Sequence, residues 1–153
     1  MTRTVDQSLE NHAFVQGLPP AQIASLAALA HEVDFEEDEV ILVEGQLSSA
    51  FYLMISGSVS IELRTPRYAV CVEALGAGQA FGWSALLDHQ DTLFQVRARE
   101  RTTALCIDGA ALKLKCRTDP ALGMEILHRT LRLVAGRVKA TEIRFAEMCG
   151  IRV

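Results

Sequence analysis

The sequence predicts a mainly β domain, a sandwich or barrel of short strands, with a short helix ahead of it and a long helix behind it. Three observations carry this. Between Val33 and Ile107 the apolar residues recur at the two-residue period of strands, and turn signals separate the runs at short intervals. On either side of that stretch the period becomes helical. A chain of 153 residues, 50% of them hydrophobic, is the size of one domain and can bury its own core.

In chain order, residues 1–12 mix polar and charged types without periodicity and read as a flexible arm. This leaves 13–153 as one domain, with 14–107 holding the first helix and the strands and 108–148 the C-terminal helices. Leu18-Pro19-Pro20 opens a short helix, since proline suits a first turn, and Ile23, Leu26 and Leu29 continue it to about His31. Strands follow at Val40-Ile41-Leu42-Val43 and from Phe51 to Ile55.

Ser58 to Arg64 is the clearest strand. Val59, Ile61 and Leu63 fall on one face, and Ser60, Glu62 and Arg64 on the other. Tyr68 to Ala74 alternates again, after the turn Thr65-Pro66-Arg67. The short apolar stretch Trp83 to Leu87 and the polar loop Asp88-His89-Gln90-Asp91 interrupt the strands before two more, ending at Ile107.

Asp108 can cap a helix running through Lys115, and Asp119-Pro120 opens a longer one reaching about Met148. Along it Met124, Leu127, Leu131, Val134, Val138, Thr141, Phe145 and Met148 alternate spacings of three and four. That is a heptad seam with one polar break, and it predicts a homodimer packed along these helices. A second stripe, Leu122, Ile126, Leu133 and Ala140, suits packing onto the strands.

The net charge of −4 argues against a protein that neutralises nucleic-acid phosphates. No run approaches the roughly 20 apolar residues needed to cross a bilayer, and no secretory signal opens the chain, so a soluble cytoplasmic protein is expected. The four cysteines lack zinc-site spacing and read as reduced thiols, with Cys71 and Cys106 buried on strands and Cys149 exposed.

The segments Phe14-Val15-Gln16-Gly17-Leu18, Glu44-Gly45-Gln46, Phe51 to Val59 and Gly78-Gln79-Ala80-Phe81-Gly82, in this order, resemble the cyclic-nucleotide-binding domain family, of the regulatory-domain type found in the cAMP receptor protein and catabolite activator family. The resemblance runs from about Phe14 to Met148. It implies a double-stranded β-helix (jelly-roll) barrel, a regulatory rather than enzymatic role, and a phosphate-binding cassette from Gly82 to about Leu93. There the candidate ligand contacts are Gly82, Trp83, Ser84, Ala85, Thr92 and Leu93, with Thr141 on the long helix as the candidate base contact.

The family's cassette carries a Glu after the glycine, for the ribose hydroxyl, and an Arg at the next strand, for the phosphate. Trp83 and Thr92 stand at those positions here. A charge-assisted hydrogen bond contributes about 1.5–3 kcal/mol, so two lost grips weaken binding by on the order of a hundredfold or more. Arg97 and Arg99 do not replace them, because Phe94, Val96 and Ala98 must point inward and turn the arginines out. The expected ligand is an atypical cyclic nucleotide or another small anion, held by the amides of Gly82, Ser84 and Ala85, with no other cofactor and no metal.

Other chemistry fits poorly. Gly82-Trp83-Ser84-Ala85-Leu86 lacks the closing glycine of a nucleophile elbow, and the four histidines stand singly, which disfavours a cupin-type metal enzyme. Asp88, His89 and Asp91 read as a solvated loop tip. The expectation is a stand-alone sensor acting on an unknown effector protein, since the chain stops soon after the long helix. The alternative is an interaction domain whose pocket has degenerated, with Trp83 filling it.

Overall fold

The computed structural model describes residues 4–89, 91–92 and 94–152. Among these residues eight strands form two antiparallel sheets of four. One has the order Ala30–Phe35 (β1), Thr102–Asp108 (β8), Ala50–Ser56 (β3) and Ala80–Phe81 (β6). The other runs Val40–Leu42 (β2), Gln95–Ala98 (β7), Ser58–Arg64 (β4) and Ala69–Gly76 (β5). This is the jelly-roll sandwich expected, with one correction: the sheets stand as two layers and do not close into a barrel.

Alternation places the core between them. Phe51 pairs with Ile107 and Leu53 with Leu105 in one sheet, and Ile61 with Val96 in the other, all at most 4% exposed. In β4, Val59 and Ile61 point inward as their spacing requires, but a register shift between Ile61 and Glu62 turns Leu63 out. Ser60, expected on the wet face, is buried in a polar cluster there: it donates to Glu62, which also accepts from Gln95 and Arg97. Burial alone would push the Glu62 carboxyl up, yet these donors hold it below the usual range. Arg97 is thus on the outer face as strand parity demands, paired with Glu62 at 3.3 Å.

The flexible arm is overturned for its described part. Val5–Glu10 is a helix (α1), closed by a capping box in which Thr4 Oγ1 accepts from the Gln7 amide and Gln7 Oε1 from the Thr4 amide. Leu9 is fully buried. A helix of six residues is too short to show periodicity, and it holds because Leu9 joins the core that also takes Phe14, Val15 and Leu26.

His12 follows, buried, with Nδ1 accepting from the Phe14 amide and Nε2 donating to the Met54 carbonyl, each at 3.1 Å. Both ring nitrogens are thereby committed in the neutral form. Desolvation pulls the His12 pKa below its ordinary 6.5, against the opposing pull of the Met54 carbonyl. The unfolded chain therefore takes up this proton first as pH falls, and the His12 contribution, complete above the unfolded value, is lost as pH drops through the folded one. Urea midpoints measured at pH 7.5 and pH 5.5 should fall further for the wild type than for His12→Gln. Equal falls would remove His12 as the cause.

Pro20–Ala27 (α2) is the short helix expected from its prolines, but it stops before His31, which stands on β1. Gly109–Thr118 (α3) is capped by Asp108, which accepts from the Ala111 amide at 2.8 Å, and Pro120–Met148 (α4) by Asp119, which accepts from Leu122 at 3.2 Å. The two stripes of α4 separate cleanly. Leu122 and Ile126 are fully buried and Leu133 packs against the same cluster, whereas Met124, Leu127, Leu131, Val138, Phe145 and Met148 are 50–70% exposed. Val134 and Thr141 are half-buried.

The cysteines are all free thiols. Cys106 is buried on β8, and desolvation pushes its thiol up, which makes it a poor nucleophile. Cys71 departs from expectation: it lies exposed on β5, an edge strand of its sheet.

Candidate functional site: the pocket behind the Gly82 turn

After β6 the chain reverses at Gly82, whose φ is +82°. A Cβ there would lie 2.6 Å from the Ala50 carbonyl and 3.3 Å from the Tyr52 ring, so only glycine allows the turn to press onto β3. Tyr52 and Phe81 stack beneath it at 4.9 Å. The turn launches a single 3-10 helix, Trp83–Leu86, the short insertion foreseen between the strands.

Behind this turn lies a cavity of about 140 Å³. Ile61, Phe81, Phe94 and Val96 supply apolar walls, and Gly82, Trp83, Ser84 and Thr92 line it as the sequence suggested. The remaining expectations fare differently. Ala85 is not a lining residue, and its amide donates to the Gly82 carbonyl at 3.0 Å. Leu93 lies outside the described residues. Thr141 donates to the Arg137 carbonyl at 2.8 Å, one turn back on its own helix, and does not line the cavity.

Thr92 is held firmly. Its hydroxyl donates to the Phe94 carbonyl at 2.7 Å, and its backbone exchanges hydrogen bonds with Gly45 and Gln46, which pins the Glu44-Gly45-Gln46 loop beside the pocket. The hydroxyl proton is therefore turned away from any ligand. The polar loop divides: Asp88 pairs with Lys113 on α3 at 2.7 Å, which holds its carboxyl below the usual range, while Asp91 lines the pocket.

The residue that sequence reasoning missed is Arg137. It reaches the same cavity from α4 and is ion-paired to Glu73 on β5. Burial pushes the guanidinium pKa down and Glu73 pushes it back, so the charge stays. A signal was present: Arg137 lies four residues after Leu133 and three before Ala140, so with Arg129 it is one of two arginines on the stripe that faces the strands. What it meets there is set by β5, distant in sequence.

The site is therefore a largely apolar pocket with one half-buried cation on its lining. Comparison with known proteins places the fold. Over 145 residues the chain is 26% identical to the CRP-like cAMP-activated global transcriptional regulator of Mycobacterium tuberculosis, covering 94% of this chain and 63% of that protein. Among solved structures, a cyclic nucleotide-binding domain from Methylobacillus flagellatus KT aligns with a TM-score of 0.84 at 20% identity, over 95% of this chain and 86% of that one. A triple mutant of the regulatory subunit of a cAMP-independent protein kinase A from Trypanosoma brucei, bound to cAMP in the A site, aligns at 0.72 and 20% identity, over 95% and 50%.

The family model of the cyclic nucleotide-binding domain matches residues 32–119, which take in both sheets and the Gly82 turn, and the chain belongs to that family.

Proposed function

We propose that this domain is a ligand-sensing regulatory module that binds without catalysis, and that its pocket takes a ligand held differently from cAMP or cGMP in the family's usual site. The observation that carries this is the combination of an intact Gly82 turn and cavity with Trp83 and Thr92 where the family's two charged grips belong. The lining fits binding rather than chemistry, since Asp91 and Arg137 are its titratable members. In the Trypanosoma brucei protein the form bound to cAMP carries a threonine-to-arginine substitution among its three. Thr92 stands where the family's arginine would be.

The module works as a homodimer along α4, in the cytoplasm, signalling to an effector protein. Six large apolar side chains of the seam are exposed in the protomer, and a second copy presents the same spacing to cover them.

A melting-temperature panel of cyclic mono- and dinucleotides tests the sensing role. A ligand at a hundred times its Kd should raise Tm by roughly 5–10 °C. No shift with any of them at millimolar concentration would instead favour an interaction domain acting through α4.

A further inference from the structure

Arg137 stands where two cavities meet. The pocket of about 140 Å³ behind the Gly82 turn and a second of about 200 Å³ under α4, bordered by Glu73, Leu75 and Ala80, have Trp83 and Arg137 in common. Neither alone reaches the roughly 300 Å³ of a small-molecule site. A nucleotide-sized ligand that spans both cavities shifts Trp83 and Arg137, which line both, and shifting them strains the Arg137–Glu73 pair.

That pair is built to be exchanged. The Arg137 side chain is 13% exposed and that of Glu73 is 27%, so Glu73 has water at hand and Arg137 much less. Removing Glu73 alone would leave a half-buried cation unpaired, which is costly, whereas exchanging it for another anion lets Glu73 rehydrate while the guanidinium keeps a partner. Nη1 carries the bond to Glu73; among the described residues, Nε and Nη2 donate to no protein acceptor. A planar fork with donors to spare suits a two-oxygen anion such as a phosphodiester.

We propose that Arg137 is the anion-binding residue of this pocket: the phosphate of a nucleotide-sized ligand takes the guanidinium from Glu73, so that occupancy is read directly at α4. This rests on the ligand-sensing role proposed above. The cation that the strand after the cassette lacks is supplied from the helix instead.

Trp83 is the only tryptophan and reports on the partition. Its fluorescence, with calorimetry as a second readout, should be followed as cAMP or uncharged adenosine is titrated into the wild type, E73Q, R137Q and the double variant R137Q/E73Q. The double variant replaces the pair by two neutral amides and so keeps the fold testable if R137Q alone strands a buried carboxylate. The wild type should prefer cAMP to adenosine, E73Q should tighten cAMP several-fold, and R137Q/E73Q should lose about tenfold or more in cAMP affinity together with its preference over adenosine. A folded R137Q/E73Q that keeps the wild-type cAMP affinity and preference would overturn the proposal and leave the sensing role standing. A wild type that binds neither probe overturns the proposal too, and the melting-temperature panel then decides whether the sensing role falls with it.

Discussion

Replacing Leu131 and Val138 together by glutamate should convert a dimer into a monomer without unfolding the protomer. Both side chains point away from the jelly roll, at 65% and 50% exposure, so the protomer core does not depend on them. In a parallel pair of α4 helices each would meet its counterpart across the seam. Burying a large aliphatic side chain contributes about 1.5 kcal/mol or more, and four are removed per dimer, so about 6 kcal/mol, or roughly four powers of ten in Kd, should disappear. Four carboxylates brought together add repulsion in the same direction.

Sedimentation equilibrium is the direct measurement, with far-ultraviolet circular dichroism as the check that α4 stays helical. A wild type that sediments as a monomer at tens of micromolar would sink the dimer before any mutant is made. Leu122 and Ile126 lie on the opposite stripe, fully buried against the strands, and replacing either should unfold the protomer. The two stripes of one helix thus predict two distinct failures, loss of association and loss of fold.

What could be seen in the sequence follows from the range of the forces involved. Asp108 and Asp119 announce their helices because a capping carboxylate acts within three residues, and Pro120 adds a fixed φ. The alternation of Val59 and Ile61 is equally local. The helix Val5–Glu10 was missed because its capping box is local but its reason to persist, the burial of Leu9 beside Phe14 and Leu26, is not. Cys71 is exposed because strand parity sets it on the face of β5 opposite Val70 and Val72, which the usual burial of a strand thiol overlooks.

The pocket divides in the same way. Gly82 and the 3-10 turn are sequential, so Gly82, Trp83, Ser84 and Thr92 could be named together in advance. Arg137 depends on α4 lying over β5, which no spacing along the chain encodes. Thr141 shows another local effect, since a polar residue on an apolar seam can return its proton to its own helix, here at the Arg137 carbonyl.

Trp83→Glu combined with Thr92→Arg should raise the affinity for cAMP by about a hundredfold or more over the wild type. The family's cassette uses a carboxylate at the first position for the ribose hydroxyl and a guanidinium at the second for the phosphate, and both positions line the same cavity here. Each charge-assisted hydrogen bond regained is worth about 1.5–3 kcal/mol, which for the pair is at least the stated factor. Removing the indole also enlarges the cavity on the side where it meets Arg137. Thr92→Arg alone should gain less, because Trp83 still fills the space and the Asp91 carboxylate lies on the same lining to compete for the new cation. Thr92 itself is expendable: its hydroxyl serves only the Phe94 carbonyl in its own loop, while the backbone bonds to Gly45 and Gln46 survive any side chain. Isothermal calorimetry with cAMP separates the outcomes. No heat of binding from a double variant whose melting curve is cooperative would mean that the cavity does not present these two positions to a nucleotide, and that the likeness to the family stops at the fold.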